Sequence, residues 1–346
     1  MGVHNHTGEL ARAADVLVKD HFCVQPDESI LITADSATDP ALIEAIMASA
    51  SLAGAKPAVM IIPRLPFQGT LADSYVTDPL KAAVRHCDVW FDLTFPYLAG
   101  SHTYDNALRE KRARYLLLGD TNGASLARLY GKIDFDRLFD VQSAIDRFFA
   151  DSEGKTCRVT SPLGTDFTFS IGKPATQKTR FANQPGSQTV PGSAIMFPEP
   201  ESVRGTVVLE ATFHEYYTHL SSPITLNVDG KIQGVKNGGA EARVLDRALR
   251  RAGSGSYGYL IHFTYGFHPA AMFTGRSFIE DIRVVGHNAI GLGLPWWVPG
   301  GGENHPDGVV TNQSMWIDET QVVADGAFVY PHDIAQRAAR LEPRYG

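Results

Sequence analysis

The alternation of apolar and polar positions divides the chain into two unlike halves. In the first, compact apolar runs are separated by amphipathic stretches. A helical pattern near 7–22 precedes SILITA (29–34), a helix near 40–53 precedes AVMIIP (58–63), and a short helix near 79–86 precedes VWFDL (89–93). A further helix near 105–112 leads to YLLLG (115–119). Short apolar runs between helical segments are what strands covered on both faces require, so this half predicts βαβ units on a parallel sheet. After a helical stretch near 134–152 the pattern changes. TCRVTS (156–161), FTFSI (167–171), TVVLEAT (206–212) and ITLNV-DG-KIQGV (224–235) read as strands. Asp229-Gly230 is a hairpin signal, because glycine accepts the positive φ of a tight turn. One helix over 241–252 interrupts them before strands resume at YLIHFTYGF (259–267). The pattern therefore predicts an α/β chain, with a Rossmann-like parallel-sheet domain over 1–150 and a mainly antiparallel α+β domain over 151–346. Residues 173–205 and 294–308 are rich in Gly, Pro and Ser and read as long loops, which in compact domains are often functional.

Composition narrows the function classes. A chain of 346 residues with 44% hydrophobic content can bury two ordinary cores. Its formal charge of −7 and lack of a basic stripe argue against a nucleic-acid partner. The first residues lack a basic segment followed by an apolar one, and no apolar run is long enough to cross a bilayer, so a cytoplasmic protein is expected. Cys23, Cys87 and Cys157 are odd in number and show no C-x-x-C spacing, which predicts free thiols. No G-x-G-x-x-G or G-x-x-x-x-G-K-[ST] follows any strand, so the Rossmann-like half carries no nucleotide motif.

The residues able to carry chemistry concentrate in the second half. His305-Pro306-Asp307 follows PGGGEN, and in an extended segment positions i and i+2 present both side chains to one point. His262 interrupts an otherwise apolar and aromatic strand, where an imidazole needs a partner. Two histidines and an aspartate are the ingredients of a facial triad for Fe(II). The same residues also admit plainer readings: His262 as a core histidine bonded to a backbone carbonyl, and His268 or His287 as alternative ligands.

The order and content of GTDFTFSIG (164–172), VPGSAIMFPEPESVRGTVVLEAT (190–212), the hairpin and helix over 224–249, HFTYGFHP (262–269) and HPDGVVTNQSMWIDE (305–319) resemble the thermophilic aminopeptidase (M29-like) fold family. Its metallopeptidases hold two metals with two glutamates, two histidines and an aspartate. His305 and Asp307 match the terminal H-x-D. The glutamate positions, however, fall on Ala194 and His262, and the other histidine position falls near Ala289, two residues from His287. The 2,5-dihydroxypyridine 5,6-dioxygenase branch of that fold is more similar. Its H-x-x-W-G-x-x-P context is matched from His262 to Pro269 with Tyr265 in place of Trp, and its H-x-D with N-x-x-x-x-x-D by His305, Asp307, Asn312 and Asp318. The resemblance implies one Fe(II) on His262, His305 and Asp307 as the cofactor. It implies a small hydroxylated aromatic ring and O2 as reactants, extradiol-type ring cleavage and a homo-oligomer. It also matches His102, beyond the third strand, to a general base, although an exposed loop histidine fits that position as well. Phe263, Tyr265, Trp296 and Trp297 are candidates for the pocket wall, and Glu303 and Tyr265 for supporting groups. The alternative is a dinuclear-metal, aminopeptidase-like hydrolase using His287, His305, Asp307 and Glu303.

Overall fold

The structure, a computed structural model, describes residues 7–214, 216–295, 298 and 305–344. The chain divides into two compact units: residues 1–139, 178–191 and 343–346 form one, and 140–177 with 192–342 the other.

In the first unit, α1 (Thr7–Asp15) runs on through a π-helical turn to His21 and precedes β1 (Ser29–Asp35). Then come α2 (Pro40–Leu52), β2 (Lys56–Ile62), α3 (Asp78–His86), β3 (Val89–Asp92), α4 (His102–Arg109), β4 (Arg114–Leu117) and α5 (Gly123–Leu126). Proline at the first position of α2, after an Asp39 side chain that accepts from Ala41 N, starts that helix with a preset φ and a capped end. The chain then leaves through α6 (Phe135–Ala150), β5 (Thr156–Thr160) and β6 (Asp166–Ser170), and returns with β7 (Gly186–Gln188). The resulting sheet is parallel throughout, in the order β2-β1-β3-β4-β7. The middle of the sheet is buried: every residue of β3 is buried, and β1 is buried from Ile30 to Asp35, whereas β2, at the edge, is largely exposed or half-buried.

The polar ends of β1 and β3 are tied together. Asp92, fully buried, accepts from the hydroxyls of Thr33, Thr94 and Tyr115 and from Leu98 N. Asp35 accepts from Phe95 N. These bonds fix the segment that leads from β3 to α4, whose first residue is His102.

The second unit holds β5 and β6 and then β8 (Ser193–Met196), β9 (Arg204–Phe213), β10 (Tyr217–Asp229), β11 (Lys231–Asn237), α7 (Gly239–Ala252) and β12 (Tyr259–Gly266). It continues with α8 (Phe278–Asp281), β13 (Asn288–Gly293), β14 (Asp307–Val310), β15 (Ser314–Ile317), β16 (Thr320–Ala324), β17 (Ala327–Phe328) and α9 (His332–Ala338). Pairing is antiparallel. The strands run β10-β11-β12-β13-β14-β9, and β9 also pairs with β10, so the ladder closes on itself. Beyond β9 the sheet extends through β6, β5, β15, β16 and β17. The expected hairpin is present between β10 and β11, with Gly230 at φ 69° on the turn, and β10 begins earlier than its apolar pattern does. Cys23, Cys87 and Cys157 are free thiols. No described helix is long and apolar enough to cross a membrane.

Candidate metal centre

Four strands of the closed ladder bring one row of residues into line. Phe213 on β9 pairs with Asp307 on β14, Asp307 with Gly291 on β13, and Gly291 with His262 on β12. His262 and Asp307 thus stand two strands apart, a separation of about 9.5 Å from sheet geometry alone. Yet His262 Nε2 is 3.0 Å from Asp307 Oδ1. The glycine between them permits this, because a Cβ on Gly291 would overlap the Cδ2 and Nε2 atoms of the His262 ring. The imidazole lies across the bare backbone of β13 and meets the carboxylate beyond it. His305, two residues ahead of Asp307, places its Nε2 3.4 Å from Asp307 Oδ2, its ring perpendicular to that of His262.

Asp307 is 2% exposed and His262 8%, while His305 is half-buried. One ligand atom from each of His262, His305 and Asp307 lies within 4.8 Å of the others, and among the described residues no other such cluster of three occurs. Asp307 Oδ2 is buried and accepts no hydrogen bond. A buried carboxylate with one oxygen unsatisfied, flanked by two imidazole nitrogens, is costly on its own and is the donor set that a divalent cation completes. His262 Nδ1 lies 3.4 Å from the Thr264 hydroxyl, which shares its face of β12 two residues on and leaves Nε2 for the centre. The residues therefore fit a mononuclear metal.

The other candidates fall elsewhere. Strand alternation turns Phe263 and Tyr265 away from the His262 face: Phe263 stacks on Phe167 and Phe169, and the Tyr265 hydroxyl donates to Gly326 O. Both are core residues and not pocket wall. His287 bonds Asp281 O through Nδ1, and burial pushes its pKa down to about 4. His268 is fully buried and accepts from Ala270 N. Neither joins the cluster. Ala194 and Ala289, where a dinuclear centre would need donors, are buried strand residues. Trp296, Trp297 and Glu303 lie outside the described residues.

His102 belongs to the first unit and is 74% exposed at its side chain. Its Nδ1 is 2.8 Å from Asp73 Oδ2, and its backbone N–H donates to Asp73 Oδ1. This aspartate was not singled out in the sequence; it lies 29 residues away, where no local spacing signals the pair.

The sequence model of one family, NicX: 2,5-dihydroxypyridine 5,6-dioxygenase, matches residues 18–330. No sequence among curated proteins matches significantly. Among solved structures, 2,5-dihydroxypyridine dioxygenase from Pseudomonas putida KT2440 superposes with a TM-score of 0.72 at 20% identity, over 95% of this chain and 99% of that one. Wild-type AmpT from Thermus thermophilus superposes with a TM-score of 0.62 at 12% identity, over 94% of this chain and 100% of the other. The fold is that of the M29 aminopeptidases.

Proposed function

We propose, for a chain that belongs to the 2,5-dihydroxypyridine 5,6-dioxygenase family, the ring-opening reaction of that family on a hydroxylated N-heteroaromatic such as 2,5-dihydroxypyridine. The family makes the protein a dioxygenase, with an aromatic ring and O2 as reactants. The proposal adds that the cofactor is one Fe(II) held by His262, His305 and Asp307, and that cleavage is extradiol in type, at the bond beside the ring nitrogen. The observation that supports it most is the buried Asp307 carboxylate flanked by two imidazoles, because this donor set has one carboxylate and suits a single iron.

A metal held by His262, His305 and Asp307 would supply Lewis acidity toward a ring hydroxyl and, if it is iron, an electron path between the ring and O2. The protein's own groups do the rest. Asp307 would offset part of the cation's charge, and His262 and His305, whose rings stand at 87° to each other, would supply the two imidazole donors. His102 takes the hydroxyl proton as general base. With Nδ1 facing Asp73, its Nε2 is the nitrogen free to accept, and the carboxylate stabilises the imidazolium that forms.

Oxygen uptake by anaerobically purified, Fe(II)-loaded protein, offered a panel of hydroxylated pyridines and phenols, tests the reading. Uptake should depend on one ring and vanish in Asp307→Ala together with bound iron. Peptide turnover with Zn or Mn, indifferent to oxygen, would replace the dioxygenase with the hydrolase.

A further inference from the structure

A cavity of about 250 Å³ lies in the first unit, lined by Asp73, Lys81, Arg85, His102, Thr103 and Asn106. Lys81 and Arg85 stand four residues apart on α3 and so share one face. Like charges at that spacing repel unless something negative lies between them. Lys81 reaches Asp78 Oδ1 at 3.0 Å, but that carboxylate is 94% exposed and competes with water. Arg85 has no ion pair or hydrogen bond among the described residues. The helix C-terminus favours a basic residue there, since Arg85 lies in the last turn of α3. That preference does not require the guanidinium to border a cavity beside a second cation.

The rest of the lining comes from Asp73 and from His102, Thr103 and Asn106 of α4. Asp73 accepts from the His102 backbone N–H at Oδ1 and places Oδ2 2.8 Å from His102 Nδ1, so this aspartate faces His102. Thr103 and Asn106 add a hydroxyl and an amide. Setting Asp73 against Lys81 and Arg85 leaves one net positive charge on the lining while His102 is neutral. That balance suits a monoanion, and a planar guanidinium matches a carboxylate bidentately. The volume exceeds what a lone inorganic ion needs and admits a small ring.

We propose that Lys81, Arg85 and His102 form a binding site for the carboxylate of a small organic acid. The site itself is independent of the assigned reaction. Only the identity of the acid, as an anionic form of the ring substrate or of its opened product, rests on the reading of His102 as base.

Nicotinate and nicotinamide differ at one group, a carboxylate against an uncharged amide, and serve as probes. Calorimetric titration of the full chain without added metal, at low salt, should show nicotinate binding about tenfold or more tighter, the scale of one charged hydrogen bond. Arg85→Gln should bring nicotinate down to the affinity of the amide, and Lys81→Gln should do so in part. Both residues are solvent-facing helix positions, and circular dichroism checks that the variants fold. Equal binding of acid and amide, no binding of either, or full nicotinate affinity in Arg85→Gln would each overturn the site. Inhibition of oxygen uptake by nicotinate, competitive with the ring, would identify the acid as substrate or product; binding without inhibition would make it a separate effector. His102→Ala with unchanged turnover and pH profile would remove the base assignment alone.

Discussion

At the scale of single residues, the decisive position bears no functional group. Gly291 lets the His262 imidazole cross β13, and a methyl group there overlaps the ring. Gly291→Ala should therefore fold, because it is a small change in a buried strand, yet lower metal affinity by at least the roughly 10- to 100-fold seen when groups that orient ligands are lost. Equilibrium dialysis of the variant against Fe(II) measures this; retained affinity would mean that His262 reaches Asp307 by another route. The three clustered residues themselves were legible as an H-x-D and an out-of-place strand histidine. Their approach was not, because it depends on register across three strands separated by up to 45 residues. An isolated glycine inside a strand pattern was the available signal, since it often marks close contact between chain segments.

At the scale of elements, buried polar groups set the positions of loops and helices. Asp92 gathers five donor groups from β1, β4 and the segment between β3 and α4. Burial raises its pKa, and the donors pull the other way. Asp92→Ala strips those donors of their acceptor and should destabilise the protein by about 3–5 kcal/mol, read as a lower urea midpoint. His21, at the end of the π-helical turn after α1, is fully buried with Nδ1 3.1 Å from the Tyr130 hydroxyl, and its pKa is pushed down to about 3 by burial and by nearby Arg180. The unfolded chain takes up a proton near pH 6.5 while the folded chain stays neutral until about pH 3. The sign follows directly. Stability is full above pH 6.5 and falls on acidification by about 1.4 kcal/mol per pH unit from this group. Urea titrations between pH 7 and 5 should show that loss, and His21→Gln, which keeps a partner for Tyr130, should show less of it. The helices of eight residues or more were readable from apolar spacing; the short α5, α8 and α9 and the strand β7 were not. Gly186–Gln188 carries no apolar pattern and lies in a segment that reads as loop, so only its parallel pairing with β4 makes it a strand.

At the scale of the molecule, the chain crosses between its two units more than once. Residues 178–191 return to the first unit after 140–177 have entered the second. The returning segment is well anchored. Arg180 pairs with Asp136 at 2.6 Å and lies over the Phe135 ring, Ala182 N donates to His21 O, and β7 covers β4. A fragment ending at residue 150 would leave β4 as an uncovered edge and should melt lower and aggregate more readily than the full chain, as light scattering during a thermal ramp can show.

The row through Phe213, Asp307, Gly291 and His262 has a mechanical consequence as well. Its two ligand-bearing strands are not neighbours, and the intervening β13 gives them no side-chain bridge at the crossing point. A cation held there acts as a cross-link between distant parts of one ladder, binding the folded state and not the unfolded one. At a hundredfold excess over its dissociation constant it would add about 2.7 kcal/mol and raise the melting temperature by several degrees. At the same metal concentration Gly291→Ala should gain about half of that shift or less, a rivet that has worked loose.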